Sequence, residues 1–204
     1  MKSYKVQDLM VPLSEYATVT EKASLYDAVN ALERAQVDFD HTRYRHRAVL
    51  VLDDSGKVVG KLSQLDVLKA LEPKYRDMLD RRRLRSFGFT KDFMKSMLKE
   101  YQLFDSELID ICKIAADQNV KQFMYSPSEG EFISENATLD EAIHQLVLGS
   151  HQSLLVTAEE KIEGILRLTD VFAAVFHTMK RTKAMVSPST DLALSRGITL
   201  GRPS

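Results

Sequence analysis

Cysteine is nearly absent. Cys112 stands alone, so neither an internal disulfide nor a cysteine-based zinc cage can form, and its setting in the apolar-rich stretch Leu108 to Ala115 predicts a small buried core residue. Long hydrophobic runs are missing too. The longest is Val171-Phe172-Ala173-Ala174-Val175-Phe176, far short of the roughly 20 residues that cross a bilayer. The opening residues Met1-Lys2-Ser3-Tyr4-Lys5 carry charge with no hydrophobic stretch behind them, so no signal peptide is expected and a cytoplasmic protein is. Neither sign of charge dominates: 28 Lys and Arg against 29 Asp and Glu leave a formal net of −1, which argues against nucleic acid or an anionic membrane as partner. No Gly-x-Ser-x-Gly elbow, phosphate loop of the Gly-x-x-x-x-Gly-Lys type or His-Glu-x-x-His occurs, and the chain is expected not to be an enzyme.

What the chain does have is repetition. Val6 to Leu32 aligns with Val120 to Leu146 without a gap at an offset of 114, with nine of 27 positions identical. Similarity resumes at an offset of 104, where Gly60-Lys61-Leu62-Ser63-Gln64-Leu65-Asp66-Val67 pairs with Gly164-Ile165-Leu166-Arg167-Leu168-Thr169-Asp170-Val171. The difference, 114 − 104 = 10, is the number of extra residues between the matched blocks of copy one. Two copies suggest a pseudo-symmetric pair, since a solenoid needs at least three. Each copy is close to the size at which folding alone is marginal, so the two are expected to share a core.

Within each copy the periodicity changes character. Leu25, Ala28, Val29 and Leu32, and Leu139, Ala142, Ile143 and Leu146, mark amphipathic helices. Ser24 and Thr138 are placed as their N-caps, Thr138 with Glu141 as a capping box. Ala48 to Leu52, the turn Asp53-Asp54-Ser55-Gly56 and Val58 to Leu62 read as a hairpin, repeated by Leu154 to Val156 and Ile162 to Leu166. A second helix follows, from about Gln64 to Leu71 and from about Leu168 to Met179. The expected class is α+β, two pseudo-twofold-related β-α-β-β-α units.

This order, with Asp8-Leu9-Met10 at the start, Thr18-Val19-Thr20 before the first helix and Gly-x-x-x-x-x-Asp at the last strand-to-helix junction, resembles the cystathionine-β-synthase (CBS) domain. The resemblance covers repeats at 1–72 and 120–181; the segment at 73–119, which the family pattern does not explain, reads as a helical insertion or linker, and the polar stretch at 182–204 as a flexible or partner-ordered tail. The insertion offers apolar positions for about three short helices, at Tyr75, Met78 and Leu79, at Phe93, Met94, Met97, Leu98 and Tyr101, and from Leu108 to Ile114, with Phe87-Gly88 as a break and Thr90 as a cap.

The resemblance also implies clefts between the repeats that take an adenosine-containing ligand such as AMP, ADP or ATP, with no cofactor required. Asp66 and Asp170 occupy the positions that hold ribose hydroxyls in the family. Ser63, three residues before Asp66, fits the assisting hydroxyl, whereas copy two has Arg167, which either abolishes that contact or supplies a cation for phosphate. Ser63 with Asp66 equally resembles a capping box, which needs no ligand. His46-Arg47 resembles the family's phosphate-contacting pairs, and Arg suits an anion because it donates two parallel charge-assisted bonds; His151 stands at the equivalent place in copy two. Thr18 and Val19, and Ile133 in copy two, complete the implied binding set. Copy one is therefore expected to hold the tighter site.

Three other clusters are open to bland readings. Arg43, Arg45 and Arg47 alternate as they would on one side of an extended strand, or on a solvated edge. Asp38, Asp40 and His41 have too generic a spacing for a metal site. Arg81-Arg82-Arg83-Leu84-Arg85 reads as an exposed helix face or a contact for a polyanion. The family's habit of pairing implies a homodimer, with the insertion between Pro73 and Asn119, through apolar positions such as Phe93, Met94, Met97, Leu98 and Tyr101, joining or bracing the interface, and a regulated partner protein; the alternative is a structural dimerisation module with vestigial clefts.

Overall fold

A computed structural model describes residues 4–38, 45–75 and 90–186. Arg43, Asp40, His41, Met78, Leu79, the Arg81 to Arg85 stretch, Phe87-Gly88 and the tail beyond Val186 lie outside the described residues.

Among the described residues seven strands form two sheets. Copy one contributes β2 (Thr18–Thr20), β3 (Ala48–Leu52) and β4 (Val58–Ser63), in the order β2-β3-β4. Copy two contributes β5 (Phe132–Ser134), β6 (Ser153–Ala158) and β7 (Lys161–Arg167), and β1 (Val11–Pro12) joins them in the order β1-β7-β6-β5. In both sheets the first strand of the unit runs parallel to the second, and the hairpin is antiparallel with a register shift near its turn. The hairpin turns differ: copy one uses Gly56 at φ 81°, while copy two holds both Glu159 and Glu160 in the left-handed region.

The α-helices among the described residues are α1 (Leu25–Asp38), α2 (Gln64–Ala70), α3 (Lys91–Glu100), α4 (Leu108–Ala116), α5 (Leu139–Gly149) and α6 (Leu168–Val186). Local chemistry sets where they begin. Thr138 accepts from the Glu141 amide while Glu141 accepts from the Thr138 amide, Ser24 and Asp27 make the same reciprocal pair, and the Thr90 hydroxyl accepts from the Phe93 amide. Each satisfies backbone donors that the first turn leaves unpaired. Cys112 departs from its expected place: it is exposed. Among its helix neighbours only Ala115 is buried, because α4 touches the fold along one narrow line and leaves its other apolar faces outside.

The segments that lead into each repeat cross over. β1 pairs antiparallel with β7 of the other copy, Val11 opposite Ile165. In mirror fashion Tyr125, the counterpart of Val11 at offset 114, bridges Lys61, the counterpart of Ile165 at offset 104. The Val6 amide donates to the Ala137 carbonyl and the Val120 amide to the Ala23 carbonyl, each at 3.0 Å. Val6 consequently sits in the helix-on-sheet core of copy two with Ile133, Ala142, Leu146 and Leu166, and Val120 in that of copy one with Leu25, Ala28, Val51 and Leu62. A third core, of Val11, Tyr16, Leu50, Val58, Leu155 and Ile165, draws on both copies. Neither repeat has a complete core without the other, which is how two marginal units make one stable body.

Candidate functional site

Hairpin strands β4 and β7 both end at a helix start, and the pairing of the sheets brings these two junctions together. Between them lies a cavity of about 280 Å³ lined by Arg45, Arg47, Lys61 and Ser63 from copy one and by Ser153 and Arg167 from copy two, with Tyr16 at its wall. Four of these side chains are cationic.

Two of the four already hold carboxylates. The Lys61 ammonium donates to Glu131 Oε2 at 3.0 Å and to the Ser153 hydroxyl at 3.3 Å, and the Glu131 side chain is only 4% exposed. Burial pushes the Glu131 pKa up, but hydrogen bonds from Tyr125 and Lys61 outweigh it and hold the carboxyl below its ordinary value. Arg167 donates through Nε and Nη2 to the two oxygens of Asp170, at 2.6 Å each, with side-chain exposures of 5% and 10%. Its Nη1 reaches His46 Nδ1 at 3.4 Å. A guanidinium only donates, so this contact is a hydrogen bond in the tautomer that leaves His46 Nδ1 free to accept. The imidazole is fully buried, edge-on to Tyr16 at 4.4 Å between ring centroids. Burial pushes the Tyr16 phenol up to about 12 against the pull of Arg167. Arg45 and Arg47 are exposed and supply the positive charge nearest to solvent.

Asp66 is built differently. Its Oδ2 accepts from the Ser63 amide at 3.0 Å and hydroxyl at 2.6 Å, while Oδ1 accepts from Lys69 at 2.8 Å. The capping box anticipated for this pair is therefore present. Burial raises the Asp66 pKa, and the bonds from Lys69 and Ser63 more than reverse it. Asp66 and Lys69 do not line the junction cavity but a neighbouring one of about 290 Å³, with Pro73, Gln122, Phe123, Met124 and Tyr125, the last four from the lead-in segment of copy two.

The cavity thus gathers Arg47, Ser63 and Arg167 from the sequence-predicted set. His46 faces Arg167 of the opposite copy, not Ser63. Thr18 and Val19 are half-buried in β2, paired with Leu50 and Val51, and Ile133 is a core residue of copy two; none of the three lines this cavity. His151 stands clear of it over Gly149, with its neighbours Gln152 and Ser153 on the lining. Lys61 and Glu131 were missed from sequence. Their signal was available: the repeat has Ile165 where copy one has Lys61, and Ala17 where copy two has Glu131, two mismatches of opposite charge. Among the described residues no cluster of His, Cys, Asp or Glu is arranged to hold a metal ion, and no helix is long and apolar enough to cross a membrane.

Two crossed β-α-β-β-α units facing one another over a polar junction define a tandem pair. The CBS-domain family model matches residues 6–73 and 120–177, more than half of the chain, and the chain belongs to the CBS-domain family. Solved structures share the fold. CBSX2 of Arabidopsis thaliana is 20% identical, with 88% of this chain and 99% of that chain covered and a TM-score of 0.56. A structure of CBSX2 in complex with AMP is 20% identical, covering 86% and 98% at 0.52. A CBS-domain protein of unknown function from Bacillus anthracis is 16% identical, covering 85% and 94% at 0.56. No curated protein matches the chain.

Proposed function

We propose that this chain is a regulatory, non-catalytic module that binds an adenine nucleotide, AMP, ADP or ATP, between its repeats and reports occupancy to a partner protein. The observation that carries the reading is the cavity at the paired strand-to-helix junctions, where Arg45, Arg47, Lys61 and Arg167 converge from both copies beside Ser63. Four cations against the two carboxylates they hold leave an excess of positive charge for a phosphate. The volume, about 280 Å³, falls just below the roughly 300–1,000 Å³ of small-molecule sites. Support also comes from the AMP complex of CBSX2, a neighbour of the same fold.

Because the lining comes from both copies, a ligand that draws the cations together favours one angle between the repeats, and that preference is what a partner would read. The outer helices offer a surface to a second copy of the chain. Leu65 and Leu68 on α2, and Phe172, Phe176 and Met179 on α6, are exposed apolar residues, and Leu68 and Phe172 are equivalent at offset 104. We assign this face to a homodimer in the cytoplasm. The structural reading, a dimerisation module with vestigial clefts, draws on the fact that Asp170 is already fully bonded to Arg167.

A thermal-shift panel of AMP, ADP, ATP, NAD and S-adenosylmethionine separates the two, since a ligand at 100 times its Kd adds about 2.7 kcal/mol to stability. Asp66→Ala should cancel an AMP shift while lowering the stability of the free protein by only about 0.5–2 kcal/mol, the cost of a lost cap. Silence across the panel would favour the structural reading.

A further inference from the structure

The two halves answer the same structural problem in opposite ways, and the comparison between them is internal to the chain. Ser63 and Arg167 are equivalent positions, as are Asp66 and Asp170. In copy one the residue three before the Asp is small: Ser63 bonds Oδ2 and leaves Oδ1 to Lys69, whose side chain is one-third exposed. This ion pair is half-buried and made through a single ammonium contact, so Oδ1 can exchange the ammonium for another donor more readily than a bidentate fork can be displaced. In copy two both carboxylate oxygens are taken by one planar fork, bidentate and almost wholly buried, and the fork's remaining nitrogen is braced by His46. A buried pair of this kind is costly to break, because separation strands a charge away from water.

We infer that Arg167 is a built-in occupant of the Asp170 side of the junction cavity. Its guanidinium presents to Asp170 two donors side by side, the same hydrogen-bond pattern that a ribose diol would present, and so closes that side to nucleotide. The chain then takes one nucleotide, on the Ser63–Asp66 side, and Arg167 sets the stoichiometry. The inference rests on the nucleotide reading for its ligand class but makes a separate statement about number.

The test is a calorimetric titration of AMP into the full chain, in wild type and in Arg167→Ser, which gives copy two the Ser-x-x-Asp arrangement that copy one carries. Wild type should bind one equivalent and Arg167→Ser two, the second being lost again in Arg167→Ser/Asp170→Ala. Asp66→Ala covers the case in which Arg167→Ser fails to fold: with only the Asp170 side left, it should bind no AMP. Two equivalents in wild type, one in a folded Arg167→Ser, or one equivalent retained by a folded Asp66→Ala would each overturn the inference and leave the nucleotide reading standing. No binding to wild type but one equivalent to Arg167→Ser would uphold the inference and refute the copy-one site. No binding by either would overturn both.

Discussion

Crossing of the lead-in segments makes a sharp demand on two equivalent glycines. Gly164 lies opposite Pro12 where β1 joins β7, and a Cβ there would run into the carbonyl oxygen of Val11, with Met10 Sδ at 3.1 Å. Gly60 holds the same place in copy one, but a Cβ there would meet only the side chain of Met124. A backbone carbonyl locked in a strand pair cannot step aside, whereas a methionine side chain swings on three rotatable bonds. Overpacking costs about 1–3 kcal/mol, and replacing Gly by Ala returns about 0.4–1 kcal/mol by restricting the unfolded chain. Gly164→Ala should therefore lose about 1–2 kcal/mol net, and at about 2–4 °C per kcal/mol for a chain of this size its Tm should fall by roughly 2–8 °C. Gly60→Ala should stay within about 1 kcal/mol of wild type, because relaxation of Met124 and the unfolded-state gain nearly cancel. Urea and thermal melts of the two variants read the difference. Equal losses, or a Gly164→Ala protein as stable as wild type, would refute the crossed arrangement as the source of the constraint.

Lys61→Met should destabilise by about 3–5 kcal/mol by stranding the buried Glu131 carboxylate, and Lys61→Met/Glu131→Gln should recover much of that in urea melts; a single variant near wild type would remove the ion pair from the account. Since the folded Glu131 pKa is depressed, its contribution is present above the ordinary 4.5 and lost as pH falls through the lower folded value; Lys61→Met should flatten that acid limb of stability. Tyr16 should ionise near 12. Because the fold favours its neutral form, stability should be complete below pH 10 and decline from there towards 12, a decline that Tyr16→Phe abolishes; an alkaline limb of stability unchanged in Tyr16→Phe would contradict this. For the ligand, Arg47→Ala should weaken AMP more than adenosine, because a charge-assisted contact to phosphate is lost, and equal losses for both would show that Arg47 does not meet the phosphate.

Much of the architecture was readable because it is local. The alternating burial of Val58 to Ser63 and the caps at Ser24, Thr90 and Thr138 depend on residues a few positions apart, and the two offsets exposed the repeat. The crossing of β1 onto β7 was not readable, since it depends on contacts more than 150 residues apart. Cys112 was misplaced for a related reason: an apolar stretch shows that a helix has faces to bury, not how much of it the fold covers. At the site, Ser63, Arg47 and Arg167 were named and do share a cavity. The sequence left Arg167 open between lost contact and phosphate cation; the geometry instead gives it to Asp170.

The most direct test of the account is a crystal structure of the full chain grown with saturating AMP. The account predicts one nucleotide per chain, its phosphate within hydrogen-bond distance of Arg45 or Arg47 in the junction cavity and its ribose hydroxyls on Asp66, with the Arg167–Asp170 pair intact. A junction cavity empty at saturation, or a nucleotide bound away from both copies' strand-to-helix junctions, would contradict it.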